Sequence, residues 1–115
     1  MSKDTVYCKS SLSSDVYEAF MVDDKQAGEV HWLTTENSNG TPTYSGLWRC
    51  EPMTFDYEFP GDEIFHVIEG TLSIKITHGE TINVSAGDII SFNKGVKSTW
   101  TIQSSFKKFF VISNC

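Results

Sequence analysis

Cysteine is scarce in this chain. The three residues Cys8, Cys50 and Cys115 lie far apart, form no CxxC pair and have no histidine at zinc-finger spacing. A disulfide framework and a structural zinc site are therefore not indicated, and the thiols read as incidental or buried ones in a reducing compartment. Positive charge is also short. Nine Lys plus Arg stand against 15 acids, a formal net charge of -6, which disfavours nucleic-acid backbones and anionic membranes as partners. No apolar run approaches the roughly 18 residues of a membrane span. The N-terminal stretch lacks the basic-then-apolar order of a signal peptide, so a cytoplasmic address is expected. Internal repeats, low-complexity tracts and interdomain linkers are missing too. At 115 residues, one domain with one core is expected.

What the chain does have is short β-rich runs broken by Gly turns, with aromatics at 13%. The densest region runs from Met53 to Lys97. It holds Pro60-Gly61-Asp62-Glu63, an apolar run to Ile68, Glu69-Gly70, and a second hairpin with Ala86-Gly87-Asp88 and Lys94-Gly95. Between Met53 and Phe59 the alternation is clean: Met53, Phe55, Tyr57 and Phe59 take one face, Thr54, Asp56 and Glu58 the other. Residues 16–22, 30–33, 43–51, 98–103 and 106–112 read as further strands, residues 23–28 as a turn and 35–42 as a polar loop. About ten short strands and no convincing helix predict an all-β barrel or sandwich. Residues 1–28 are expected to form an N-terminal extension that adds a strand, ahead of a domain over residues 29–115.

Glu63 and Gly70 enclose six residues, and Gly87-Asp88 is followed by the turn residue Gly95. This order resembles the two motifs of the cupins, and the resemblance implies a single-domain double-stranded β-helix, or jelly-roll barrel. Gly46-Leu47-Trp48, Asp62-Glu63, Val67-Ile68-Glu69-Gly70, Ala86-Gly87-Asp88 and Ser98-Thr99-Trp100 are most similar to one branch. That branch includes the ureidoglycine aminohydrolase cupin domain and the ethanolamine-utilisation cupins. The likeness spans roughly residues 29 to 112, and Asn93 stands where the family often has Pro. It also implies a homodimer.

Metal-dependent cupins usually supply two His and a Glu from the first motif and a His from the second. In one alignment frame Asp56 and Glu58 stand at the two His positions, with Glu63 as the Glu and Ser98 at the last His. Three acids would then converge and either hold a hard divalent cation (Mn, Mg or Ca) weakly or share protons. In the other frame Tyr57 and Phe59 take the His positions and the cavity is mostly aromatic. No metal ligand or cofactor is assigned from the sequence.

Glu63 is the candidate catalytic residue, as a pocket carboxylate orienting a substrate amine or acting as general base. The bland alternative is a carboxylate bonded to barrel backbone. Trp48 and Trp100 are core packing or the aromatic wall of a pocket. Phe65, Asp56, Glu58 and Ser98 complete the candidate ligand contacts, Ser98 being more simply a turn hydroxyl. Lys107-Lys108 reads as a solvated or edge-strand pair. His66 should face away from Glu63, His78 lies in a turn, and His31 is expected to be a satisfied interior or interface histidine. The expected function is binding of a small polar metabolite, cationic or polyhydroxylated. The alternatives are a metal-dependent aminohydrolase- or isomerase-like enzyme and a non-catalytic dimeric module.

Overall fold

Ten strands carry the chain in the computed structural model, which describes residues 7–115. They are β1 (Glu18–Val22), β2 (Lys25–Glu36), β3 (Pro42–Cys50), β4 (Thr54–Glu58), β5 (Asp62–Glu69), β6 (Thr71–Ile76), β7 (Thr81–Ser85), β8 (Ile89–Phe92), β9 (Lys97–Ile102) and β10 (Phe106–Ser113). No helix occurs among the described residues, and therefore none long and apolar enough to cross a membrane. Residues 1–6 of the expected N-terminal extension lie outside the described residues.

All pairings are antiparallel. One sheet has the order β1-β2-β3-β10-β5-β8 and the other β4-β9-β6-β7. Alternating side chains from the two sheets meet in a shared interior, as period-2 strands require. This is the all-β jelly roll. Phe55 and Tyr57 enter that interior from β4 and Phe59 from just beyond it, and Ser98, Trp100 and Ile102 from β9. Phe65 and Val67 enter from β5, and Phe106, Phe110 and Ile112 from β10. Trp100 is 1% exposed and its ring lies against Trp48, Phe55, Tyr57, Phe59 and Phe65. Edge-to-face contacts dominate around Trp48, the geometry that aromatic quadrupoles favour.

The motif residues shape the turns. Gly70 alone links β5 to β6 at φ +88°, and a Cβ there would collide with the backbone carbonyl of Ser105. Only glycine tolerates both demands. The Asp88 carboxylate accepts the Ser85 N–H at 2.8 Å, and Gly87 N–H donates to the Val67 carbonyl at 2.8 Å. Asp62 does the same for Lys94 N–H at 2.9 Å, pinning the second motif to the start of β5.

The expected turn over residues 23–28 is shorter than the sequence implied. Asp23 and Asp24 alone make it, at φ 50° and 66°, a left-handed pair that suits a two-residue hairpin. Strand β2 then runs through position 28 without interruption. Upstream of β1, the segment lies on the outer face of the larger sheet. His31 is held there between the Ser10 hydroxyl at 2.5 Å and the Val16 carbonyl at 2.8 Å, and Lys107 reaches the Leu12 carbonyl at 3.3 Å.

Candidate functional site

A strand that places Phe106, Phe110 and Ile112 inward must place Lys108 inward as well, because the side-chain period is two. Strand β10 is flanked by β3 and β5, so this lysine sits in the middle of a sheet and not at its edge. Lys108 is 5% exposed. The expected reading of Lys107-Lys108 as a solvated or edge pair is therefore corrected for Lys108. Lys107 alone keeps contact with the outside face.

The same rule on β5 turns Glu63 inward, where it is 2% exposed. Lys108 pairs in register with Val67 on that strand, and Phe110 with Phe65. The lysine side chain leans along the barrel past Phe65 to reach the carboxylate. Its Nζ lies 2.6 Å from Glu63 Oε2. From the opposite sheet, Tyr57 Oη donates to Glu63 Oε1 at 3.0 Å. Each carboxylate oxygen thus has its own donor.

Aromatic faces enclose the ammonium. Nζ stands 4.3 Å from the Phe65 ring centre, 4.6 Å from Trp100 and 5.1 Å from Trp48, distances at which ring quadrupoles attract a cation. Burial pushes the Lys108 amine below its ordinary 10.5, and the neighbouring Glu63 offsets part of that effect. Burial, with the Glu63 charge and hydrogen bond behind it, pushes the Tyr57 phenol far above its ordinary 10.0. Tyr57 is therefore a fixed donor. The free space at the centre, lined by Glu63, Lys108, Tyr57, Trp48 and Trp100 among others, is about 20 Å³. That is room for roughly one water molecule.

Five of the expected site residues are brought together here: Glu63, Trp48, Phe65, Ser98 and Trp100. Ser98 is a mid-strand hydroxyl, not a turn one. It donates to the Tyr57 carbonyl at 2.8 Å and accepts from Trp100 Nε1 at 3.0 Å. Asp56 and Glu58 are not part of the site. They stand exposed on the outer face of β4, where Asp56 accepts a hydrogen bond from Thr99 Oγ1 at 2.8 Å. The physical reason is area: burying Phe55, Tyr57 and Phe59 removes far more apolar surface than the opposite register would. The three-acid arrangement is thus not formed, and a cation shared by Glu58 and Glu63 has no geometric basis. His66 is outward as expected, and His31 is satisfied on the outer face.

A family model for the EutQ-like cupin domain matches residues 37–110. The chain belongs to that family. Over 57 residues, 50% of this chain, it is 37% identical to the acetate kinase EutQ of Clostridioides difficile (strain 630), and it spans only 36% of that relative's length. The solved structure of the Clostridium difficile EutQ protein superposes with a TM-score of 0.66 at 27% identity, covering 78% of this chain and 70% of that one. A putative ethanolamine utilization protein Q from Salmonella typhimurium LT2 shares the fold at a TM-score of 0.65 and 20% identity, with coverage of 84% and 93%. Of the two resemblances expected from the motifs, the ethanolamine-utilisation one is matched.

This EutQ-like cupin differs at its centre from the metal-dependent pattern. Among the described residues no group of three or more His, Cys, Asp or Glu is placed to hold a metal ion. Both oxygens of Glu63 already have donors, and a cation beside them would meet the Lys108 ammonium. The donor set does not fit a metal there.

Proposed function

We propose that this domain binds a small, oxygen-bearing polar metabolite at the Glu63–Lys108–Tyr57 centre, and does so without a metal ion. One observation carries the reading. An ammonium has three N–H donors, yet Lys108 Nζ has a single hydrogen-bond partner among the described residues, Glu63 Oε2. Its remaining donors face aromatic rings. A hydroxyl or carbonyl oxygen entering the centre gives them an acceptor in a low-dielectric site, where such a bond is strong. A cationic ligand is disfavoured, because the Glu63 charge is already matched from within. The small free volume leaves room at the centre for little more than the oxygen-bearing end of a ligand.

Thermal unfolding with a panel of small alcohols, sugars and carbonyl compounds tests this. Ligands that bind the folded state raise the wild-type Tm, and the rise disappears in Glu63→Gln and Lys108→Met. An equal rise in all three proteins overturns the reading. The filled interior favours a second reading, a non-catalytic dimeric module. A wild-type protein that is a dimer by light scattering and responds to no compound supports it.

A further inference from the structure

A buried amine touching a buried carboxylate, with space beside it for about one water, is also the equipment for condensation with a carbonyl group. We infer that Lys108 forms an imine with small neutral aldehydes, with Glu63 as the proton carrier. The inference rests on the binding reading above and adds covalent chemistry to it.

Each part of the arrangement has a use in that reaction. At 2.6 Å, Glu63 Oε2 can take a proton from the Lys108 ammonium and leave the neutral amine that attacks a carbonyl carbon. The N–C bond forms as the carbonyl π pair moves to oxygen, and the proton lost from nitrogen reaches that oxygen through Glu63. Glu63, again a carboxylic acid, then protonates the carbinolamine hydroxyl, the C–O bond breaks and water leaves. The product is a protonated imine beside a Glu63 carboxylate, so the starting charges are restored and no oxidant or reductant is consumed. The rings of Phe65, Trp100 and Trp48 face a cation at the start and at the end of the sequence, the ammonium and then the iminium, which favours the iminium over a neutral adduct. Tyr57 holds the other carboxylate oxygen and fixes its direction. Burial, which lowers the amine's proton affinity, favours the neutral amine that makes the attack.

Two features define the substrate. The space of about 20 Å³ is close to one water in size, so it favours the smallest aldehydes over branched chains. A carboxylate on the ligand would face Glu63 and be repelled, so the compound is neutral.

Wild-type protein is incubated at neutral pH with glycolaldehyde and cyanoborohydride, which reduces an iminium to a stable secondary amine, and labelling at each lysine is followed by peptide mapping. The expected result is labelling at Lys108 several-fold faster than at the exposed Lys94 and Lys97. Isobutyraldehyde, branched and larger, should show no such preference. The comparison is internal to the folded wild-type chain, so it survives if Lys108 variants fail to fold. Glu63→Gln should cut labelling at Lys108 and leave Lys94 and Lys97 unchanged. Lys108 left unlabelled while the exposed lysines react overturns the inference. If glycolaldehyde still raises Tm in that case, reversible binding stands and only the covalent step falls; with neither effect, both fall.

Discussion

Tyr57 and Lys108 hold one carboxylate from opposite sheets, Tyr57 Oη at Glu63 Oε1 and Lys108 Nζ at Glu63 Oε2. The contact is a polar rivet through an otherwise apolar and aromatic interior. Its energetics are those of a buried ion pair: desolvation nearly cancels attraction while both partners are present, and removing one exposes the full cost. Glu63→Leu or Lys108→Met alone should therefore destabilise by about 3–5 kcal/mol. The double variant should recover much of that loss. Urea denaturation of the four proteins as a double-mutant cycle measures the coupling, and additive single effects would contradict the rivet.

Ser98 supports the site from below. Its hydroxyl donates to the Tyr57 carbonyl and accepts from the Trp100 indole. Ser98→Ala leaves that buried N–H without its acceptor, at a cost of about 1–3 kcal/mol. Chemical denaturation gives the loss, and Trp fluorescence should shift because the indole changes its surroundings. An unchanged midpoint would mean that water replaces the hydroxyl.

Asp56 and Glu58 are expected to be silent. Both are exposed on the outer face of β4, so Asp56→Asn and Glu58→Gln should each stay within about 0.5 kcal/mol of wild type. Neither should alter the ligand-induced rise in Tm that Glu63→Gln abolishes. A loss of that response in either variant would return these acids to the interior.

The β4 acids and Lys108 show where the sequence is legible and where it is not. Alternation over residues 53–59 marks a strand with two unlike faces, and strand spacing with Gly turns marks the jelly roll. Which face looks inward is a question of area. Phe55, Tyr57 and Phe59 answer it, once a metal template is not imposed on Asp56 and Glu58. Lys108 is less legible. Its register with Phe106, Phe110 and Ile112 places it inside, but Lys107 beside it makes the pair look solvated. A buried lysine becomes believable only with its counter-charge, and Glu63 lies 45 positions away in the chain. That pairing is a property of the closed barrel, not of any local window. The turn read over residues 23–28 has its place but not its length in the sequence: Asp23 and Asp24 sit in left-handed backbone more often supplied by Asn-Gly.

Alkaline pH offers a test of the interior that does not involve the ion pair. Burial, helped by the nearby Glu51 charge, pushes the Cys50 thiol up from 9.0 to about 11. Below pH 9 the thiol is protonated in both folded and unfolded chains. Between pH 9 and 11 the unfolded chain releases this proton and the folded one keeps it, so the unfolded state gains and stability falls as pH rises. Lys108 acts in the opposite sense, since its lowered folded value means stability is gained as pH climbs toward 10.5. Tyr57, its proton retained in the folded state, adds a loss above pH 10. These two are common to wild type and Cys50→Val and cancel in the difference. Wild type minus Cys50→Val, from urea midpoints across pH 8 to 11, should be flat up to about pH 9 and then fall. A difference that stays level through pH 11 would mean that the thiol ionises as freely inside the barrel as in water.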